Sequence, residues 1–263
     1  MNISEQDLND LKHAKKLLEN PGLAAKLTDI IGKPIEKGMN LLPGKWQALV
    51  NTTVTKSLRT SLDFAIKTLN REKKSGAGNL FHKIAAAASG GIGGAFGLAS
   101  LPLELPVSTT IMLRSIADIA KSQGEDIDDI GSRLACLEVF ALGGESKSDD
   151  ATETGYYAVR AALAGAISEA TRYIAKYGVV ERGAPPLVRL IMQISSRFGI
   201  VVSQKVAATA VPLVGAGSGA VVNTLFIDHF QKMATGHFIV RRLERKYGKS
   251  EIKELYTEIS QEK

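Results

Sequence analysis

Thr109-Thr110-Ile111-Met112-Leu113-Arg114-Ser115-Ile116-Ala117-Asp118 and Asn223-Thr224-Leu225-Phe226-Ile227-Asp228-His229-Phe230-Gln231-Lys232 read as two versions of one pattern. Each follows a glycine-rich, uncharged run. Ala88-Ser89-Gly90-Gly91-Ile92-Gly93-Gly94-Ala95-Phe96-Gly97 precedes the first, and Val214-Gly215-Ala216-Gly217-Ser218-Gly219-Ala220 the second. Both patterns read as helices carrying a few buried charges. Aligned on Thr110 and Thr224, Arg114 stands at the place of Asp228, and Asp118 at that of Lys232. Two helices that face each other would need such a charge exchange. The pattern therefore places these two helices at the centre of the molecule.

Strand signals are nearly absent elsewhere. Ile200-Val201-Val202 lies inside a helical pattern, and the whole chain reads as all-α. The expected architecture is a multi-helix domain centred on two glycine-rich helical hairpins in a pseudo-repeated arrangement.

The chain has 263 residues and a formal net charge of +6. That length allows one large domain or two small ones, with a sizeable core. Mild basicity suits an anionic partner such as lipid or nucleic acid. Aromatic residues make up only 6% of the chain, so the core is expected to rest on close helix contacts more than on rings. Cys136 is the one cysteine. Set among Leu134, Ala135, Leu137 and Val139, it reads as a small buried apolar residue. A single cysteine allows no internal disulfide, as suits a reducing cytoplasm. The first residues, Met1-Asn2-Ile3-Ser4-Glu5-Gln6-Asp7, are polar and acidic and lack the regions of a signal peptide. The expected location is the cytoplasm, peripheral at the inner face of the cell membrane.

Ser4 is placed to cap a first helix carrying Leu8, Leu11, Leu17 and Leu18, which Pro21 ends. A weak second helix breaks at Gly32-Lys33-Pro34. Pro43-Gly44 opens a long segment to Lys74, in which Trp46, Leu49, Val50, Val54, Leu58, Leu62, Ile66 and Leu69 form an apolar stripe. Residues 45–74 hold seven Lys or Arg against two acids. Such a basic amphipathic helix, with Lys45, Trp46, Lys56, Arg59 and Lys67 as contacts, suits a membrane surface. An ordinary core-facing helix with a solvated basic face is the alternative. The loop at 71–78 gives the boundary between an N-terminal helical segment, residues 1–75, and a helical domain, residues 76–263. A second loop, 143–150, leads through a Ser148 or Asp149 cap into an alanine-rich helix ending at Gly178. Pro185-Pro186 opens the next helix, and Ser250 is expected to cap a last one.

Residues 84–103 and 206–227 form runs of 20 and 22 residues without a charge. At about 1.5 Å per residue, either reaches the roughly 30 Å of a bilayer's hydrocarbon core. The glycines each cost up to about 1 kcal/mol of helix propensity. Pro102 and Pro106 are expected to break the first run, and Pro212 interrupts the second. A permanent span is therefore disfavoured. Close-packed hairpins within the protein are the preferred reading, with reversible embedding in lipid as the alternative. Gly90-Gly91-Ile92-Gly93-Gly94 is followed by no Lys-Ser or Lys-Thr and preceded by no strand. Neither a Walker loop nor a dinucleotide fingerprint is supported.

Asp228, His229 and His237 are the candidates for catalysis. His229 and His237 lie roughly 80° apart around a helix, a poor arrangement for one metal ion. With four histidines and one cysteine in the chain, no metal and no cofactor is expected. Glu104, Thr109, Thr110, Arg114, Asp118, Asn223 and Lys232 are the candidates for ligand binding. Arg114 would grip a phosphate or carboxylate, and His229 would act as a base. The competing reading makes Arg114–Asp228 and Asp118–Lys232 buried ion pairs that hold two helices in register. Lys205, in an apolar stretch, is expected to extend its ammonium to the surface. Arg241-Arg242-Leu243-Glu244-Arg245-Lys246-Tyr247 reads as a solvated face in which Arg241 and Arg245 flank Glu244. It has neither the interleaved aromatics nor the motif of a nucleic-acid surface.

Several stretches carry a family resemblance. They are Leu103-Glu104-Leu105-Pro106 with the helix after it, Leu134-Ala135-Cys136-Leu137-Glu138-Val139-Phe140-Ala141-Leu142-Gly143-Gly144, and Val202-Ser203-Gln204-Lys205. To these add Ala210-Val211-Pro212-Leu213-Val214-Gly215-Ala216, the segment 223–230, and Gly236-His237-Phe238 with Arg242-Leu243-Glu244-Arg245-Lys246-Tyr247-Gly248. In order and spacing they resemble the EcsC family of bacterial proteins, from about Phe81 to Tyr256. The resemblance implies a membrane-linked setting, because the family is named after a gene in an operon that also encodes parts of an ABC transporter. The family's molecular function is not established, so the resemblance assigns no catalytic residue. Its usual acidic residue in the Leu-Pro segment is Glu104 here.

The functional expectation is a non-enzymatic helical protein at a membrane surface. It would bind an anionic membrane, a lipid ligand or a membrane protein complex of transporter type, with homo-oligomers allowed and nucleic acid excluded. The alternative is a hydrolase or transferase on a lipid-like or phosphorylated substrate, built on Arg114, Asp228 and His229.

Overall fold

The computed structural model describes residues 3–19, 23–31, 44–68, 101–143, 155–178, 183–209 and 218–259. These form nine helices and, among the described residues, no strand. They are α1 (Glu5–Glu19), α2 (Leu23–Ile31), α3 (Gly44–Thr68), α4 (Leu101–Ser122), α5 (Ile130–Leu142), α6 (Gly155–Tyr177), α7 (Pro185–Thr209), α8 (Ser218–Tyr247) and α9 (Lys249–Glu258). The protein is all-α, as its periodicity requires. The glycine runs at 88–97 and 214–217, the loop at 71–78 and the Ser148 or Asp149 cap lie outside the described residues.

Local chemistry explains several helix ends. The Ser4 hydroxyl accepts the Asp7 backbone N–H at 3.2 Å and donates to the Asp7 carboxylate at 2.9 Å, closing the start of α1. Asp129 caps α5 by accepting the Ser132 N–H at 2.8 Å. Pro185 opens α7, where a missing N–H costs nothing. Gly178 ends α6 with a φ of 74°.

Two expected boundaries differ. α4 runs straight through Pro106. Pro102 sits in the first turn, where the amide would be unpaired anyway, so Pro106 forfeits only one backbone bond near the helix end. Ser250 does not cap α9. Gly248, at φ 104°, turns the chain out of α8, and the new helix resumes at once from Lys249.

α8 is the axis of the molecule and touches α1, α2, α4, α5, α7 and α9. α5 is buried on every side from Ser132 to Ala141, as an apolar helix without a solvent face must be. The few rings are concentrated rather than spread. Phe140 and Phe198 lie 5.0 Å apart, and Phe226 and Phe230 5.2 Å apart, edge to face. At about 1.5–3 kcal/mol per buried large apolar side chain, this cluster contributes more than the low aromatic content suggested. Val50, Val54, Leu58 and Leu62 of α3 belong to the same core as Leu113 and Phe140. Leu11 and Ala14 of α1 join a second core with Leu243, Ile252 and Tyr256.

Helix directions follow from paired residues. α4 and α8 run side by side in the same direction. Glu104 and Asn223 meet at one lysine, Ser115 receives a hydrogen bond from Gln231 at 2.9 Å, and Glu125 just beyond α4 meets Arg241. α1 runs opposite to α8, with Asp7 on Lys246 and Asp10 on Arg242. Their closest approach is at Gly236, where a Cβ would stand 2.7 Å from Leu18 Cγ and 3.0 Å from the Ala14 carbonyl oxygen. α3 runs opposite to α7, with Thr55 at Ser195 and Asn51 at Gly199.

Candidate functional site

The two matching helices do touch, and Asp118 and Lys232 each pair along their own helix. Asp228 accepts from Lys232 one turn along α8 at 2.7 Å, with both side chains partly in solvent. Asp118 is exposed and lies 4.0 Å from Lys121 on its own helix. One polar cross-contact between α4 and α8 falls on Ser115 and Gln231. Arg114 is half-buried. The hydroxyls of Thr109 and Thr110 donate to Leu105 and Pro106 carbonyls at 2.6 and 2.8 Å. Both therefore serve their own helix.

Asp228 and His229 point to different surroundings, as successive helical residues do. His229 is buried, and its Nε2 lies so close to Gly143 that a Cβ there would stand 2.1 Å away. Only glycine fits that position. Burial holds the His229 imidazole down to about 4, aided by the Lys26 ammonium and opposed by a backbone hydrogen bond with Gly143. Lys26 is itself lowered by burial and by Lys232. Lys26, Asp228 and Lys232 thus form one charged group at the α2–α8 contact. A neutral imidazole with so low a pKa is a weak base at pH 7.

His237 is fully buried about two turns further along α8. Its Nδ1 is 3.1 Å from the Tyr156 hydroxyl, and its Nε2 is 3.7 Å from the Glu138 carboxyl. Burial raises Glu138 to about 7, and it holds His237 well below its ordinary value, with Arg160 and Arg241 nearby. Arg160 forks onto Glu244 at 2.6 and 2.9 Å and lies over the rings of Tyr156 and Tyr157. Glu125 receives Arg241 at 2.8 and 3.0 Å, Ser132 at 2.9 Å, and Arg245. The expected Arg241–Glu244–Arg245 surface grouping is therefore replaced. Glu244 faces inward to α6, and both arginines reach the loop after α4. Sequence reading passed over Glu138, Tyr156, Arg160 and Glu244 as site residues. A lone acid in the apolar stretch 134–142 is the signal that pointed to this network.

Lys205 does not reach for solvent. Its ammonium is buried, 2.5 Å from Glu104 and 3.0 Å from Asn223, over the Phe226 ring at 4.7 Å. A carboxylate, an amide and a ring face replace its water. Two of the ligand candidates, Glu104 and Asn223, are thereby brought together.

An exposed basic face lies on α3. At about 100° per residue, Lys45, Lys56, Arg59 and Lys67 share one face, and all are exposed. The opposite face carries Val50, Val54 and Leu58, buried to 1% exposure or less. Trp46 is half-buried between the two faces. A groove of about 600 Å³ follows the outer face. Among the described residues it is lined by Asn51, Thr52, Thr55, Lys56, Arg59, Thr60 and Asp63. Among the described residues no cluster of His, Cys, Asp and Glu could hold a metal ion, and no helix is long and apolar enough to cross a membrane.

No curated protein and no solved structure matches the chain. The model of the EcsC protein family matches residues 5–243. The match begins in α1, earlier than the resemblance at Phe81, and takes in α3, the Glu104–Lys205–Asn223 contact and the buried Glu138–His237 pair. The chain belongs to the EcsC protein family.

Proposed function

We propose that this is a non-enzymatic protein that works at a membrane surface, holding anionic lipid or a membrane protein complex. The observation that carries this reading is the row of Lys45, Lys56, Arg59 and Lys67 on the exposed face of α3, beside an open groove. Each cation near an anionic leaflet is worth about 1 kcal/mol. The apolar stripe of α3 is already used in the core. Attachment through this helix is therefore electrostatic, not the insertion of an amphipathic face.

The enzymatic alternative has less support. His229 sits against Gly143 while Asp228 pairs with Lys232, and the α3 groove is lined by none of these residues. Glu138 and His237 are better placed to hold α5, α6 and α8 together than to meet a substrate. Co-sedimentation of Lys56→Glu/Arg59→Glu with anionic vesicles tests the proposal. The double variant is expected to lose at least tenfold in binding at low salt, and binding equal to the unaltered protein contradicts the role of α3.

A further inference from the structure

At one end of the helical body, three described helix segments carry almost no charge. From residue 101 to 113 in α4, 198 to 209 in α7 and 218 to 227 in α8, the only charged residues are Glu104 and Lys205. These two neutralise each other at 2.5 Å, with Asn223 completing the contact. They are also the charges that bound the uncharged runs, since the first run ends at Leu103 and the second begins at Val206.

The described surface beside this contact exposes Leu103 at 73%, Val107 at 39% and Val221 at 44%. Leu103 and Val107 lie one turn apart on α4. The antiparallel register of α3 with α7, set by Thr55–Ser195 and Asn51–Gly199, brings the start of α3 to the same end. Lys45, exposed, and the single tryptophan Trp46, half-buried, stand there. An uncharged apolar tip with Trp and Lys at its rim has the composition of a protein surface at the boundary between headgroups and acyl chains.

We infer that the protein docks on the bilayer end-on, through the tip formed by Leu103, Val107 and Val221, with Trp46 and Lys45 at headgroup level. The inference rests on the membrane reading above and names the surface that meets lipid. Lys67 lies about 33 Å further along α3 from Lys45. End-on docking puts it beyond the leaflet's field, whereas Lys56 and Arg59, about 16 and 21 Å along α3 from Lys45, stay within the roughly 30 Å that the field reaches at low salt.

The test uses the full chain and vesicles of phosphatidylcholine with phosphatidylglycerol. Trp46, as the only tryptophan, reports without labelling. Its emission is expected to shift to the blue on binding and to be quenched by lipids brominated on the acyl chain. Leu103→Asp and Val107→Asp, at exposed positions, are expected to keep the helical circular dichroism and unfolding midpoint and to bind at least tenfold more weakly. Vesicle binding with unmoved, unquenched Trp46 emission and unaffected Leu103→Asp would overturn end-on docking and leave the surface reading standing. A change of oligomeric state in Leu103→Asp, with vesicle binding unchanged, would overturn it in favour of a second copy on this tip. Absence of binding to any vesicle would overturn both readings.

Discussion

The Lys205 ammonium and the Glu104 carboxylate lie 2.5 Å apart, but their exposures differ. The Lys205 side chain is 5% exposed and that of Glu104 31%. Removing either partner therefore has unequal consequences. Glu104→Gln strands a buried cation against Asn223 and Phe226, at an expected cost of about 2 kcal/mol. Lys205→Met leaves a carboxylate that can turn to water and is expected to cost less. Urea midpoints of the two variants and their double mutant measure this. A greater loss for Lys205→Met contradicts the asymmetry.

Glu138 and the two buried histidines give opposite pH dependences. Glu138, raised to about 7 by burial, favours the folded state while protonated. Its contribution, on the order of 3 kcal/mol, is lost as pH rises from about 4.5 through 7. His229 and His237 are lowered, so their contribution is lost as pH falls below about 6.5. Stability due to these groups should climb to about pH 6.5, decline slightly to about pH 7 and then level off. In Glu138→Gln the decline should vanish and the climb should steepen. Chemical unfolding at intervals from pH 5 to 8 checks this, and an unchanged decline in the variant contradicts it.

The fork of Arg160 on Glu244 is nearly out of solvent, at 16% and 5% side-chain exposure. Arg160→Met should cost about 3–5 kcal/mol by leaving Glu244 unpaired. Arg160→Lys should recover little, because a lysine cannot make the two parallel bonds or lie over both tyrosines. Thermal unfolding of the two variants separates charge from geometry.

Gly236 lets α1 lie directly on α8. Gly236→Ala should cost about 1–3 kcal/mol, since the new methyl meets both Leu18 and the Ala14 carbonyl. Leu18→Ala in the same chain relieves only the side-chain half of the clash. Partial recovery in a double-mutant cycle is the expected outcome.

Periodicity and capping chemistry made much of this fold legible. The Ser4 cap, the Pro185 start, the Gly178 end and the apolar stripe of α3 all rest on residues near one another in sequence. Pro106 misled because proline near a helix start costs much less than one in the interior. Lys205 misled because its partners, Glu104 and Asn223, come from other helices, and spacing along α7 carries no trace of them. The same holds for Arg160 on Glu244 and for Arg241 on Glu125. Asp118 and Lys232, matched across the two patterns, found partners one turn away on their own helices.

The most direct measurement is flotation of the intact protein with anionic and with neutral vesicles, at low and at high salt. Binding to anionic vesicles that weakens as salt rises, with little or none to neutral ones, is the expected result. Failure to float with anionic vesicles at low salt would contradict a membrane-surface role.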